Sequence, residues 1–554
     1  MTQQALLDVI ILSPDGEQVE DDVKAGALMQ LCQHLLVLDG IYSDPIWRFP
    51  HASVAEWLEK KWSMVHAQNF VAKVCLSQLM RLYRDFDPFS LPRTRDVAFS
   101  DAPKDKDQTS GMDYIRYCWF RHIQAIEQDG KSSGPEPELK ALLKQFLGSP
   151  MKSSLEYQRW VEHTDRTYTG GNGFWLGFRI IPHLRPSDVA LFGMVVLNFT
   201  TTLGDWWEVA EMDTAIINDE GRTLLALSES TKVSKLLLKR GADPNQPFMW
   251  RSYKQEEFKP THSVLIEAVG KGGLDMVKLL VQGGADVNAV FPNQHGSNAL
   301  NKAASYGHMD IVKYLVEDAK ANVNVEMAGT SGTPATSVLM TAVHAGELDI
   351  VKYLVEVGKA DVNKVIPTSN AGDMVSAASF SGQLDVLKYF IEEVKLDADA
   401  QVEHESYGSA LAAATSVSVV RYLTKMAGVD VNMHIKHGRY GSALAAHAAY
   451  TRLPIVKYLV EEGGADVNLK LDGHRHINAL VAAKSVGELN KEVITYLESV
   501  ASPETKAQAV PGPQRFPQFD SYLEGDRYVW KDKVDLDLAT KDFGSRTLAR
   551  KGTF

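Results

Sequence analysis

Cysteine is scarce. The 554 residues contain three, Cys32, Cys75 and Cys118, spaced 43 residues apart, and no Cys-x-x-Cys pair occurs. That excludes both a disulfide framework and a thiolate zinc cage, and it suits buried thiols in a reducing compartment. Long apolar runs are also missing. The longest, "VALFGMVVL" at 189–197, has nine residues, where a bilayer span needs about 20. "ALLDVIIL" near the start lacks a basic flank and is broken by Asp8, so it does not read as a signal peptide. A cytoplasmic, or alternatively nuclear, protein with no membrane partner is expected. Basic residues are in deficit, 58 Lys and Arg against 70 Asp and Glu, for a net charge of −12. No nucleic-acid partner is therefore expected, because phosphate binding needs excess positive charge on one face.

Catalytic signatures are missing as well. The Gly-Lys pairs at 130–131, 270–271 and 358–359 lack the earlier glycine of a phosphate loop, and "TYTGGNGFWLGF" at 167–178 does not fit G-x-G-x-x-G. Zinc-protease, nucleophile-elbow and kinase patterns do not occur. His434 with His437, and His474 with His476, form small groups inside loops, and a metal site needs further ligands meeting in space. His51 reads as a helix-start residue. No catalytic residue, metal or cofactor is expected. The composition is otherwise ordinary, 45% apolar and 23% charged, with enough apolar material for a large core.

What the chain has is a repeat. "ADPN" at 242–245 recurs as "ADVN" at 285–288, "ANVN" at 321–324, "ADVN" at 360–363, "LDAD" at 396–399, "VDVN" at 429–432 and "ADVN" at 465–468. The intervals of 43, 36, 39, 36, 33 and 36 residues are those of a solenoid. Before each corner lies an apolar helix pattern such as "IVKYLV", with Asp275, Asp310, Asp349 or Asp385 expected to cap its start. Gly273, Gly307, Gly346 and Gly382 are expected to end the preceding helix in the left-handed conformation. That preceding helix, "SVLIEAV", "SALAAAT" and their relatives, should be capped by Thr223, Ser263, Asn298, Ser337, Asp373, Ser409, Ser442 and Asn478.

Residues 219–500, read as about eight such units, resemble ankyrin repeats. The leucine of the family's Thr-Pro-Leu-His start is kept at Leu225, Leu265, Leu300, Leu339, Leu411, Leu444 and Leu480, with Val375 once, while the Pro and His are not kept. The resemblance implies an all-α fold, a helical N-terminal domain followed by an ankyrin-repeat α-solenoid. It also implies another protein as partner, and weaker polar ties between repeats than the family's histidines provide. The sixth unit, "AAATSVSVVRYL", is shortened and lacks the glycine turn. Two insertions stand out. Residues 246–262 carry Phe248, Trp250, Arg251, Tyr253 and Phe258. These are residue types that anchor interfaces, or alternatively aromatics that pack the loop against the protein. Residues 325–336 are Gly/Ser/Thr-rich and read as a solvated loop.

Residues 1–205 read as helices joined by polar loops. "LCQHLLVLDG", "RFPHASVAEWLE", "HAQNFVAKVCLSQLM" and "YIRYCWFRHIQ" resemble the region behind the NTPase core of fungal NACHT–ankyrin receptors. The resemblance covers about 28–125 and implies either a stand-alone descendant or the back half of such a receptor. A junction is expected at 206–218, and a Pro-rich tail at 501–554, extended or disordered or alternatively recognised as a short peptide. The expected function is a non-enzymatic scaffold or regulator, including accessory work in a fungal pathway. The alternatives are a truncated NACHT–ankyrin receptor and an unrecognised enzyme.

Overall fold

In a computed structural model, the residues described are 37–39, 46–48, 64–88, 111–128, 134–166, 180–248, 262–291, 298–327, 336–366, 372–401, 407–471, 474 and 476–509. They fall into two compact units. One comprises 1–293 with 297–322, the other 294–296 with 323–554.

The first unit opens with a short antiparallel pair, β1 (Val37–Asp39) and β2 (Ile46–Arg48), in the register Val37↔Arg48. The sequence reading put helix spacing over 27–40. Gly40, Ser43, Asp44 and Pro45, residue types that favour turns, instead stand in the sequence between the two trios that pair as strands. Four helices follow: α1 (Met64–Arg84), α2 (Gly111–Gln128), α3 (Pro137–Leu147) and α4 (Leu155–Arg166). On α1 the buried stripe is Ala72, Cys75, Leu76, Leu79 and Tyr83, a helical spacing. Phe70 and Val71, expected on that stripe, are half-buried. Trp119, Phe146, Tyr157 and Trp160 interlock edge to face, with Trp119 5.2 Å from Phe146 and 5.4 Å from Trp160. Burial pushes the Cys75 thiol up to about 12, so it stays protonated.

The apolar run at 189–197 forms α5 (Ala190–Val196), a core helix, and α6 (Gly204–Val209) comes next. Glu127, buried on α2, positions the link between them. Its carboxylate accepts from the Thr201 and Thr202 N–H groups and from the Thr200 and Thr202 hydroxyls, at 2.6–2.8 Å. Four donors on one buried carboxylate compensate its lost hydration.

The repeats are helix pairs. In the first unit they are α7 (Leu224–Leu227) with α8 (Thr231–Lys239), α9 (Val264–Gly270) with α10 (Leu274–Gln282), and α11 (Ala299–Ser305) with α12 (Met309–Glu317). The second unit continues the pattern after the strand pair β5 (Glu326–Met327) and β6 (Thr336–Ser337); β3 (Gly148–Ser149) and β4 (Lys152–Ser153) pair similarly in the first. Its pairs are α13 (Val338–Ala345) with α14 (Leu348–Glu356), α15 (Met374–Phe380) with α16 (Leu384–Lys388), α17 (Ala410–Ala413) with α18 (Val417–Lys425), α19 (Ala443–Ala449) with α20 (Leu453–Glu461), and α21 (Ala479–Lys484) with α22 (Lys491–Val500). All eight expected caps of the first helices are present. Each side chain from Thr223 to Asn478 accepts the N–H three residues on. Small alanines behind them, among them Ala303, Ala377, Ala412 and Ala445, are fully buried, which lets neighbouring helices close.

Three expectations need correction. Asp275, Asp310, Asp349 and Asp385 sit inside the first turn, behind N-cap residues Gly273, His308, Glu347 and Gln383. The carboxylates still favour the positive helix end. The left-handed glycine of the second repeat is Gly272, at φ 74°, and Gly273 is not left-handed. The tail does not begin at 501: α23 (Pro503–Gln508), capped by Ser502, packs on α21, and Lys484 bonds the Ala509 carbonyl. Residues 510–554 lie outside the described residues.

Corner asparagines make polar ties between repeats. Asn245 accepts from the Asp286 N–H and donates to the Gly284 carbonyl, at 2.7 and 2.9 Å. Asn432 does the same with Asp466 and Gly464, at 2.8 and 3.1 Å.

At the turn after the inner helix, Gly307, Gly346 and Gly382 have φ of 70–75°, and the seventh repeat places Thr451 there at 57°. A β-branched residue is strained in that region. Thr451→Gly should therefore raise stability by about 1 kcal/mol, read as a higher denaturant midpoint with unchanged slope.

Candidate interaction surface

The inserted loop supplied the sequence-based candidates. Phe248 is not exposed: it is 1% accessible, bridges His262 as an antiparallel pair and lies under the Arg222 guanidinium at 5.3 Å. The sequence contained the signal. Phe248 stands three residues after the corner Asn245, as Met327, Ile366, Ile435 and Leu471 stand after theirs, and all five are buried. It staples the loop base, so it is corrected from a partner anchor to a core residue. Trp250, Arg251, Tyr253 and Phe258 lie outside the described residues.

The second unit holds aromatic rings that sequence reasoning missed. His344, Phe380, Tyr407, Tyr450, Tyr440 and His476 follow one another across successive repeats, with neighbouring centroids 5.5–6.5 Å apart. Phe380 is the last residue of its inner helix and Tyr450 caps the end of its own. Tyr407 and Tyr440 precede Gly-Ser in "YGSAL", which occurs twice. That repetition was the available clue. Tyr440 stacks almost parallel on His476, at 9°. Burial and the Tyr450 hydroxyl push the phenols of Tyr407 and Tyr440 up, so the rings are neutral and donate. Tyr450 is exposed, 38% accessible, with the Arg452 guanidinium 5.3 Å from its ring. Tyrosine and arginine are the residue types that dominate interface energetics.

Arg452 also repairs the shortened sixth repeat. Its guanidinium donates to the Ala414 carbonyl at 2.6 Å, at the place where α17 stops after one turn. His447 lies beneath, fully buried, with Nε2 donating to the Leu411 carbonyl at 2.9 Å and Nδ1 facing Arg452 at 3.5 Å. Burial, then the arginine charge, lower its pKa to about 3.

The loops beneath the rings nest tightly. Gly408 has no room for a Cβ against the His437 carbonyl, and a Cβ on Gly441 would meet His474 at 2.7 Å. Gln401 bonds both sides of the next loop, donating to the His434 carbonyl and accepting from the Lys436 N–H at 2.9 Å. His434 and His437 are exposed, whereas His476 is buried. Among the described residues no group of three or more His, Cys, Asp or Glu is placed to hold a metal. The first unit has an open cleft of about 280 Å³ lined by Thr231, Lys232, Lys235, Asp275, Lys278, Leu279 and Gln282.

Outer-helix tyrosines are tied down instead. Tyr389 donates to Glu356 at 3.2 Å, Tyr422 to Glu392 at 2.8 Å and Tyr496 to Glu461 at 3.0 Å. Lysines from the preceding helix cover the rings of Tyr389 and Tyr496, at 5.1 and 5.6 Å. Burial beside Glu356 pushes the Tyr389 hydroxyl up to about 12.

A family model described as ankyrin repeats (3 copies) matches residues 251–327, and one described as ankyrin repeat matches 336–366. The chain carries ankyrin repeats. Over 58 residues it is 47% identical to the Notch-regulated ankyrin repeat-containing protein A of Danio rerio, covering 10% of this chain and 50% of the relative. The Homo sapiens counterpart matches at the same identity over 49% of its length. The B-cell lymphoma 3 protein homolog of Mus musculus is 36% identical over 108 residues, 19% of this chain and 22% of the relative. The chain thus spans half or less of the length of these relatives. The solved human ASB11 ankyrin repeat domain aligns over 44% of this chain and all of that one, at 22% identity and a TM-score of 0.35; the assignment rests on the family models. Ankyrin repeat domains are in general non-catalytic modules that bind other proteins. Among the described residues no helix is long and apolar enough to cross a membrane.

His447 gives the second unit an acid-side liability. Its folded pKa lies below the ordinary 6.5, so between pH 6.5 and about 3 the unfolded chain takes up a proton that the folded one refuses. Stability falls with pH across that window, by up to about 1.4 kcal/mol per pH unit. His447→Gln should flatten the fall by one proton's worth, measured by denaturant unfolding between pH 6.5 and 4.5.

Proposed function

We propose that this chain is a non-enzymatic scaffold or regulator that holds another protein on the inner-helix face of its ankyrin repeats. The row of rings that includes the exposed Tyr450, beside Arg452, is the observation that supports this reading most. In this reading the inserted loop is a second contact, made by Trp250, Arg251, Tyr253 and Phe258. The helical region to residue 205 and the repeats at 219–500 are its working parts.

A photo-cross-linking residue at Tyr450, at Trp250, or at the exposed outer-helix Lys457 tests the reading in the intact chain. Discrete protein adducts from the first two positions, and none from Lys457, are expected. Equal labelling at all three sites, or none at the first two, sinks it. Trp250→Ala with Tyr253→Ala should weaken capture of the cross-linked partner; unchanged capture removes the loop from the site.

The second reading, the back half of a NACHT–ankyrin receptor, is favoured by the motifs of residues 28–125. Within that stretch α1 and α2 pack on each other as helices. Reading the genomic DNA upstream of Met1 tests it: an in-frame phosphate-loop module spliced to this region supports the receptor, and its lack removes that reading.

A further inference from the structure

We propose that the corner loops of the seventh and eighth repeats, residues 433–441 and 469–471, together with Tyr450, dock an extended acidic peptide of the partner that carries aromatic side chains. This deepens the reading above and rests on it. Lys436, Arg439 and Lys470 are all exposed, and none is in an ion pair among the described residues. His434 is exposed in the same loop. The corner acids of the same repeats are already engaged: Asp430 accepts from the Asn432 N–H at 2.9 Å and Asp466 from the Asn468 N–H at 2.8 Å. Asp472 and Arg475, one of each sign, lie outside the described residues. A chain of net charge −12 thus gathers unpaired cations at one end of its ring row.

The same loops carry the rings. Tyr440 sits between Tyr450 and His476, at 5.5 and 6.1 Å, and Arg439 adjoins it in sequence. An alternating acidic and aromatic strand meets both features, its carboxylates on the cations and its rings on the tyrosines. The loops are held in advance. Ile435 closes one by donating to the Gly441 carbonyl at 2.9 Å, Leu471 closes the other onto Ile477 at 2.9 Å, and a Cβ on Gly438 would meet the Tyr407 backbone at 3.0 Å. Preorganised loops lose little entropy on binding. Single-stranded nucleic acid also likes cations and rings, but the net negative charge of the chain repels a long polyanion.

Fluorescence anisotropy of the intact protein with a labelled synthetic peptide alternating Asp or Glu with Tyr or Phe is the test. Saturable binding is expected. It should weaken about tenfold or more with the Asn/Gln version of the peptide, with Lys436→Glu plus Arg439→Glu, and with Tyr450→Ala, and it should fall with added salt. Thermal melts of the variants check that they fold, since all three side chains are surface groups. Equal affinity for the neutral peptide, indifference to charge reversal, or equal affinity for a single-stranded oligonucleotide overturns the proposal. So does self-association that the charge reversal abolishes, because a second copy then covers the surface. Peptide binding lost while Tyr450 still cross-links a partner overturns the acidic-peptide assignment alone.

Discussion

One corner asparagine carries much of the polar connection from repeat to repeat. Where the chain leaves an outer helix and turns, its backbone N–H groups have no ladder to join, and unpaired backbone polar groups are costly once buried. Asn245, Asn288, Asn324, Asn432 and Asn468 each accept an N–H from the following corner, at 2.7–2.9 Å. Asn245, Asn324 and Asn432 also donate to a carbonyl there. A carboxamide can do both at once, which a carboxylate cannot. Asp399, standing in that place, makes only the accepting half, at 3.2 Å from the Asp430 N–H. The ladder fixes the spacing at which alanine-rich inner helices touch, so the hydrophobic core of the repeats depends on it.

The repeats are thus joined by side-chain-to-backbone bonds at their corners, without the histidines of the family start. His447 even restores a histidine tie between repeats, from the inner helix of the seventh to the Leu411 carbonyl of the sixth. Arg452 covers the carbonyl exposed by the shortened turn. A repeat stack needs its polar groups paired, and residue identity can shift as long as pairing holds.

How much was legible follows from the same physics. The eight inner caps were readable because a cap needs one short polar side chain just before an apolar run, and no other role fits that spacing. The outer-helix caps were misplaced because an acid in the first turn serves the dipole as well as one at the cap, so sequence cannot separate the two. Phe248 was misread for lack of comparison between repeats: alone it is an aromatic in an insertion, but aligned on Asn245 it is the loop staple. The ring row was legible only in fragments. "SYGS" and "RYGS" advertise Tyr407 and Tyr440, but the meeting of Tyr440, Tyr450 and His476 depends on two repeats stacking. In the N-terminal region, "VLD" was read through by a helical pattern, though it pairs with "IWR" as a strand and turn-favouring residues stand between them in the sequence.

The two faces of the second unit treat tyrosine differently, and that difference locates its binding side. On the outer helices each hydroxyl of Tyr389, Tyr422 and Tyr496 ends on a glutamate of the preceding repeat, and lysines lie on the rings of Tyr389 and Tyr496. Those rings are used up in joining repeats, and a partner gains little by touching them. On the inner side Tyr407, Tyr440 and Tyr450 meet one another, and Arg452 in place of an acid. A ring whose neighbours are rings and a cation keeps its outer face unsatisfied until something covers it. Tyr389, Tyr422 and Tyr496 are therefore structural on the outer side of these repeats, whereas Tyr450 stays exposed on the inner side.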